Sequence, residues 1–169
     1  MCEVSPSIVI SNETLVSIIV RSLIDKRLSI ACAESCTGGL LTAGFVDYPG
    51  VSAVLAEGVV AYSNESKIAR LGVTKQTLDK YGAVSAQTAA EMASGVAKTA
   101  SAGVGISTTG IAGPGGGSYE KPVGLVYIGL SVNKRISTKE LRLTGDRSAV
   151  RNKAVKLAME FLLQSLKDI

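Results

Sequence analysis

Ala31-Cys-Ala-Glu-Ser-Cys-Thr-Gly-Gly39 decides how this chain is read. The apolar run 28–33 predicts a short buried strand, and Leu40-Leu-Thr-Ala-Gly-Phe-Val46 predicts a helix. Glu34, Ser35 and Cys36 sit at the turn between them. A hydroxyl at a strand-to-helix turn stands at the sheet edge, facing the free N–H groups of the first helical turn. The glycines let another molecule approach the backbone closely. The same pattern also suits a serine that only caps the helix.

Outward from this turn the chain alternates strands and helices. Strands are predicted near 28–33, 57–63, 103–109, 123–132 and 136–143, with 136–143 an edge strand because Thr138, Lys139, Glu140 and Arg142 keep one face polar. Residues 1–10 read as a tail or short edge segment, and a helix starts at Asn12 with Leu15, Ile18, Ile19 and Leu23 on its inner face. Thr74 and Ser85 open two more helices, and Ala89, Met92, Ala93 and Val96 make a small-residue stripe that can lie close on a sheet. Asp146 caps the last helix, whose buried side is Val150, Ala154, Leu157, Phe161 and Leu162. The fold class is α/β: a three-layer α/β/α sandwich with a mixed, mostly parallel sheet, in one domain spanning 1–169. In open α/β sheets the site lies off the carboxyl ends of the strands. That edge gathers Ser35, residues 62–67 and the loop 109–117.

Composition narrows the chemistry. Of 169 residues, 46% are hydrophobic and 4% aromatic, so Ala, Val, Ile and Leu build the core. There is no histidine, which removes Ser-His-Asp triads, Cys-His dyads and histidine metal sites together. Acid–base work must fall to Lys, Glu, Asp, Tyr, Cys or the N-terminal amine. Cys2, Cys32 and Cys36 form no disulfide or zinc pattern, and free thiols suit a cytoplasmic setting. The N-terminus is not a signal peptide, and the charge-free run 99–119 is too rich in Gly, Ser and Thr to span a membrane. A net charge of +4 spread along the chain suits a small anion, not nucleic acid.

Three further features stand out. Lys67 falls in the first turn of a short helix capped by Ser63 or Asn64, where a cation opposes the dipole, unless it is simply solvated. Thr109-Gly-Ile-Ala-Gly-Pro-Gly-Gly-Gly117 follows a strand and is either a backbone anion cradle or a surface loop; it is neither a P-loop nor a dinucleotide fingerprint. Arg147 and Arg151 share one helix face near an N-terminus, which invites an anion or pairing with nearby acids.

Ala33-Glu-Ser-Cys-Thr-Gly-Gly39, Tyr62-Ser-Asn-Glu-Ser-Lys67, Gly82-Ala-Val-Ser85, the 109–117 loop, Lys121-Pro-Val-Gly124 and Gly145-Asp-Arg147 occur in that order. Together they closely resemble the CinA C-terminal-domain family over about residues 12–165. That family includes stand-alone bacterial nicotinamide mononucleotide (NMN) deamidases. The resemblance is to the stand-alone form, without the larger CinA N-terminal domain. It implies hydrolysis of the NMN carboxamide to nicotinate mononucleotide and ammonia. It also implies Ser35 as nucleophile, Lys67 as general base, and no metal or other cofactor.

A free lysine has a pKa of about 10.4 and cannot accept a serine proton at neutral pH. Lys67 is therefore expected to be desolvated, with a depressed pKa. Glu34 opposes this if its carboxylate approaches Lys67; otherwise it turns away to accept backbone N–H groups or a cation. N–H groups of residues 36–38 are candidates to hold the oxyanion. Cys36 is a rival nucleophile. Substrate contacts are expected at Glu34, Thr37, Gly38, Tyr62, Asn64, Thr109, Gly110, Gly113 and Arg147. Among them, Arg147 and the glycine loop are the phosphate candidates, Tyr62 stacks on the pyridinium or bonds to the dyad, and Asn64 and Thr109 orient the amide or dyad. Expected partners are NMN and a second copy in a homodimer, with no nucleic acid or membrane. The rival reading is a non-catalytic nucleotide-binding or competence- and DNA-damage-associated regulatory module. Retention of both Ser35 and Lys67 favours the enzyme.

Overall fold

The computed structural model describes residues 6–169. The elements run α1 (Pro6–Asp25), β1 (Ile30–Glu34), α2 (Leu40–Val46), a 3-10 turn (Val51–Ala53), β2 (Leu55–Val60), α3 (Asn64–Leu71) and α4 (Lys75–Tyr81). Then follow α5 (Ala86–Thr99), β3 (Val104–Gly110), β4 (Leu125–Val132), β5 (Arg135–Arg142) and α6 (Arg147–Lys167). Each expected strand is present with its ends shifted by a few residues. The expected tail is corrected: α1 already begins at Pro6, and residues 1–5, including Cys2, lie outside the described residues. Among the described residues, no helix is long and apolar enough to cross a membrane.

The sheet order is β2-β1-β3-β4-β5. β1 pairs in parallel with both β2 and β3, while β4 runs antiparallel to β3 and β5. Four of the five strands therefore point one way and β4 alone opposes them. The chain leaves β1 toward β2 on one side and later returns to β3 on the other. This reversal opens a crevice at the carboxyl ends of β1 and β3.

Strand parity sorts the two layers. Ile30 and Cys32 face the larger core with Val16, Ile19, Leu41, Phe45, Val150 and Leu162, from α1, α2 and α6. Ala31 and Ala33 face Leu71, Leu78, Met92 and Val96, from α3, α4 and α5. Two inner faces differ from expectation. Val16, Ile19, Val20 and Leu23 are buried in α1 while Ile18 is 46% exposed, because the i, i+3, i+4, i+7 stripe starts at Val16. In α6, Val155, Ala158 and Met159 join Val150, Ala154 and Leu162, whereas Leu157 and Phe161 are only half-buried.

The alanine-rich stripe of α5 does lie close on the sheet. Cβ atoms at Gly105 and Gly129 would drive into the backbone carbonyl oxygens of Ala93 and Ala89. Gly129→Ala must therefore lift α5 or bend β4. We expect it to cost about 3 kcal/mol, read as a lower urea midpoint at unchanged slope.

Candidate active site

β1 ends at Glu34, and alternation along the strand aims Glu34 and Ser35 toward opposite layers. The Ser35 N–H donates to the Thr108 carbonyl at 3.0 Å, so this residue still sits in the sheet ladder. Its side chain does not cap α2: the N-cap is Gly39, with no side-chain cap bond. The Ser35 hydroxyl instead meets Lys67. Ser63 caps α3, accepting from the Ser66 N–H at 3.1 Å, and this places Lys67 one turn in.

Lys67 is 1% exposed. Its Nζ lies 3.2 Å from Ser35 Oγ, and it donates to the Ala61 and Tyr62 carbonyls at 2.9 Å each. Burial pushes its pKa below the usual lysine value, against smaller opposing effects of Cys36 and Glu65. Among the described residues, no carboxylate forms an ion pair with it. A neutral amine has two N–H donors and one lone pair. The two carbonyls engage the donors, which leaves the lone pair facing the Ser35 hydroxyl. Cys36 is a poor rival, since burial pushes its thiol up to about 11 and keeps it protonated at neutral pH.

Glu34 is fully buried and turns away from Lys67. Oε2 accepts from the Thr37 hydroxyl and the Gly39 and Leu41 N–H groups, and Oε1 accepts from the Thr42 N–H and hydroxyl, all within 3.0 Å. Expected as a substrate contact, Glu34 does not line the cleft beside Ser35 and Lys67: its two oxygens are engaged by Thr37, Gly39, Leu41 and Thr42. The first-turn N–H groups of α2 do not face Ser35, because Glu34 engages them. The Thr37 hydroxyl is likewise buried between Glu34 and Thr108.

A cleft of about 180 Å³ opens beside the pair, lined by Ser35, Cys36, Tyr62, Lys67, Ala83, Val84, Thr109, Gly110, Ala112 and Arg147. Of the expected contacts, Tyr62, Thr109, Gly110 and Arg147 are brought together with the pair. Glu34, Thr37, Gly38, Asn64 and Gly113 do not line the cleft. Asn64 is exposed on the first turn of α3, and Gly113 is buried with its carbonyl accepting from Arg147 Nη1 at 2.7 Å. Ala83 and Val84 were not foreseen as lining residues. Thr109 Oγ1 holds their segment by donating to the Ala83 carbonyl at 2.7 Å, and the motif spanning 82–85 was the signal available for them. A larger cavity of about 640 Å³ at the opposite end of the sheet, lined by Ala97, Lys98, Ser131 and Lys134 among others, contains no nucleophile–base pair. Among the described residues, no three His, Cys, Asp or Glu side chains gather as a metal-ligand set.

These features define an α/β/α domain with a buried serine–lysine pair at the carboxyl edge of a mixed sheet. Residues 12–166 match the CinA C-terminal domain, and the chain belongs to that family. Two clostridial relatives are named for competence-damage induction. The one from Clostridium acetobutylicum is 53% identical over 160 residues, covering 95% of this chain and 39% of its own length. The one from Clostridium novyi is 57% identical over 153 residues, covering 90% and 37%. The chain thus spans well under half of these relatives. Solved structures match along their whole length. A CinA-superfamily protein from Klebsiella pneumoniae superposes with a TM-score of 0.90 at 35% identity, covering 94% of this chain and 99% of that one. A competence/damage-inducible protein from Agrobacterium tumefaciens gives 0.89 at 39% identity, covering 99% of each.

Proposed function

We propose that this domain hydrolyses the carboxamide of NMN, giving nicotinate mononucleotide and ammonia. The observation that carries the proposal is the desolvated Lys67 amine, held by two carbonyls with its remaining valence toward Ser35 Oγ. Lys67 takes the hydroxyl proton as Oγ bonds to the amide carbon. The resulting ammonium gives that proton to the leaving nitrogen as the C–N bond breaks, releasing ammonia. Water then attacks the ester; Lys67 accepts its proton and returns it to Oγ. The oxyanion needs backbone donors, and those of residues 36–38 adjoin the nucleophile.

The cleft is below the ~300 Å³ of pockets that enclose a whole drug-sized ligand, so it suits the pyridine carboxamide end of a nucleotide. Tyr62 lines the cleft and is 65% exposed, which supports reading its ring as the surface on which the pyridine stacks. Arg147 lines the same cleft and uses one donor on Gly113, which leaves others for the 5′-phosphate.

The test is ammonia release from NMN beside nicotinamide and nicotinamide riboside. Turnover of NMN alone is expected. Arg147→Met is expected to raise KM for NMN about 30-fold with kcat nearly unchanged, matching a charge-assisted contact of about 2 kcal/mol. Equal turnover of the riboside would remove the phosphate from recognition. No turnover by the folded protein would favour a binding module.

A further inference from the structure

Arg151 stands one turn beyond Arg147 on α6, and the reaction above gives it no part. Its guanidinium crosses to the turn that follows Ser35, behind the residues that line the cleft. Nη2 donates to the Thr37 carbonyl at 2.7 Å, across 114 positions of sequence. The same nitrogen would lie 3.3 Å from a Cβ at Gly38, so it rests directly against the turn that follows the nucleophile. Its Nε–H is buried without a hydrogen-bond partner among the described residues. A side chain that only filled this space would carry no such unpaired donor, so the contact at Nη2 is the feature that calls for arginine here.

We infer that Arg151 is a positioning residue for the oxyanion, acting through the Thr37–Gly38 peptide. This rests on Ser35 being the nucleophile. In a trans peptide the C=O and N–H point in opposite directions. Drawing the Thr37 carbonyl toward α6 therefore turns the Gly38 N–H away from α6. The next amides, of Gly39, Leu41 and Thr42, are engaged by Glu34. The Leu40 N–H reaches back to the Thr37 carbonyl at 3.4 Å, so within the turn that follows Ser35 the amides left for an oxyanion are those of residues 36–38. Gly38 has φ +60°, and glycine adopts either sign of φ at little cost. Unclamped, the 37–38 peptide can flip and present its carbonyl where the N–H belongs. The Thr37 hydroxyl, held between Glu34 and Thr108, anchors the side chain but does not choose the peptide's orientation. The Thr37 carbonyl also accepts from the Leu40 N–H at a long 3.4 Å. The 2.7 Å charge-assisted bond from Arg151 is the stronger of the two holds on that carbonyl.

The experiment measures NMN turnover and, separately, acylation of Ser35 by p-nitrophenyl acetate, which needs the nucleophile and the oxyanion donors but no NMN. Arg151→Met is expected to lower kcat for NMN about 100-fold with KM within about twofold, and to slow acylation to a similar degree. Arg151→Lys should recover part of the loss, and methylguanidinium should restore Arg151→Ala. If Arg151→Met fails to fold, the lysine variant and the rescue decide, with melting curves as the control. A raised KM at unchanged kcat would make Arg151 a substrate contact and overturn the inference, as would acylation at the wild-type rate. Wild type that is acylated yet inert on NMN would remove the substrate assignment and leave this inference to the acylation rates. Wild type inert in both assays would overturn both.

Discussion

On the proposed reaction, Lys67→Met is expected to abolish NMN hydrolysis, lowering kcat about 10⁴-fold or more, and Ser35→Ala is expected to do the same. The two act as a unit, so the double variant loses little beyond either single one. Lys67→Arg is equally inactive despite keeping the charge, because a guanidinium has no accessible neutral form to accept the Ser35 proton. In the wild type, kcat/KM rises with pH as Lys67 deprotonates, and the midpoint lies below the ordinary lysine value of 10.5. Stability carries the same signature. Between the depressed native pKa and 10.5 the unfolded chain binds more protons than the native one, so stability rises with pH in that window. Below it Lys67 is protonated in both states and that contribution is absent. Each unit of depression is worth about 1.4 kcal/mol, and urea midpoints measured across the window should lose this rise in Lys67→Met. A flat profile in both proteins would remove the depressed base. Activity surviving in Ser35→Ala would move the nucleophile elsewhere, although the buried, protonated Cys36 is poorly suited to replace it.

The positions of Ser35 and Lys67 were legible because their signals are local: the strand-to-turn pattern puts Ser35 at a sheet edge, and a cap at Ser63 or Asn64 sets where α3 starts. Their pairing as nucleophile and base came from the resemblance to the CinA C-terminal domain, since the residue pattern alone also suited a helix cap and a solvated lysine. The layer order was legible from local signals too, since alternation and capping residues mark each element. What escaped depends on contacts between distant segments. An acid at the end of a strand reads as a substrate contact until its burial is known, and the burial of Glu34 comes from α2 folding back over it. Spacing alone does not separate Arg147 from Arg151, which lie one helical turn apart, and Arg147 alone was read as a phosphate contact. Only the packing of α6 sends one to Gly113 and the other to Thr37.

Glu34→Ala should be the most destabilising substitution near the site, costing about 4 kcal/mol in urea unfolding. Removing the carboxylate strands the N–H group of Leu41 in a buried position and those of Gly39 and Thr42 in half-buried ones, and each buried unpaired donor costs about 1–3 kcal/mol. Relaxation of a seven-residue helix recovers part of that sum, so the total stays below full additivity. The carboxylate also sits at the positive end of α2, and that interaction is lost with it. Glu34→Gln sharpens the test, because it keeps shape and volume. Its NH₂ must replace either Oε1, against the Thr42 N–H and hydroxyl, or Oε2, against the Thr37 hydroxyl and two N–H groups. The Oε1 position is the less harmful, since the Thr42 hydroxyl can rotate to accept while one N–H remains unpaired. A loss of about 2 kcal/mol is therefore expected, about half that of alanine. Activity should fall in both variants, because Glu34 organises the turn that carries Ser35. A Glu34→Gln protein as stable as wild type would mean that these donors find other partners. Glu34 would then be a replaceable filler of the turn, and the placement of Ser35 would depend on Thr108 and α6 instead.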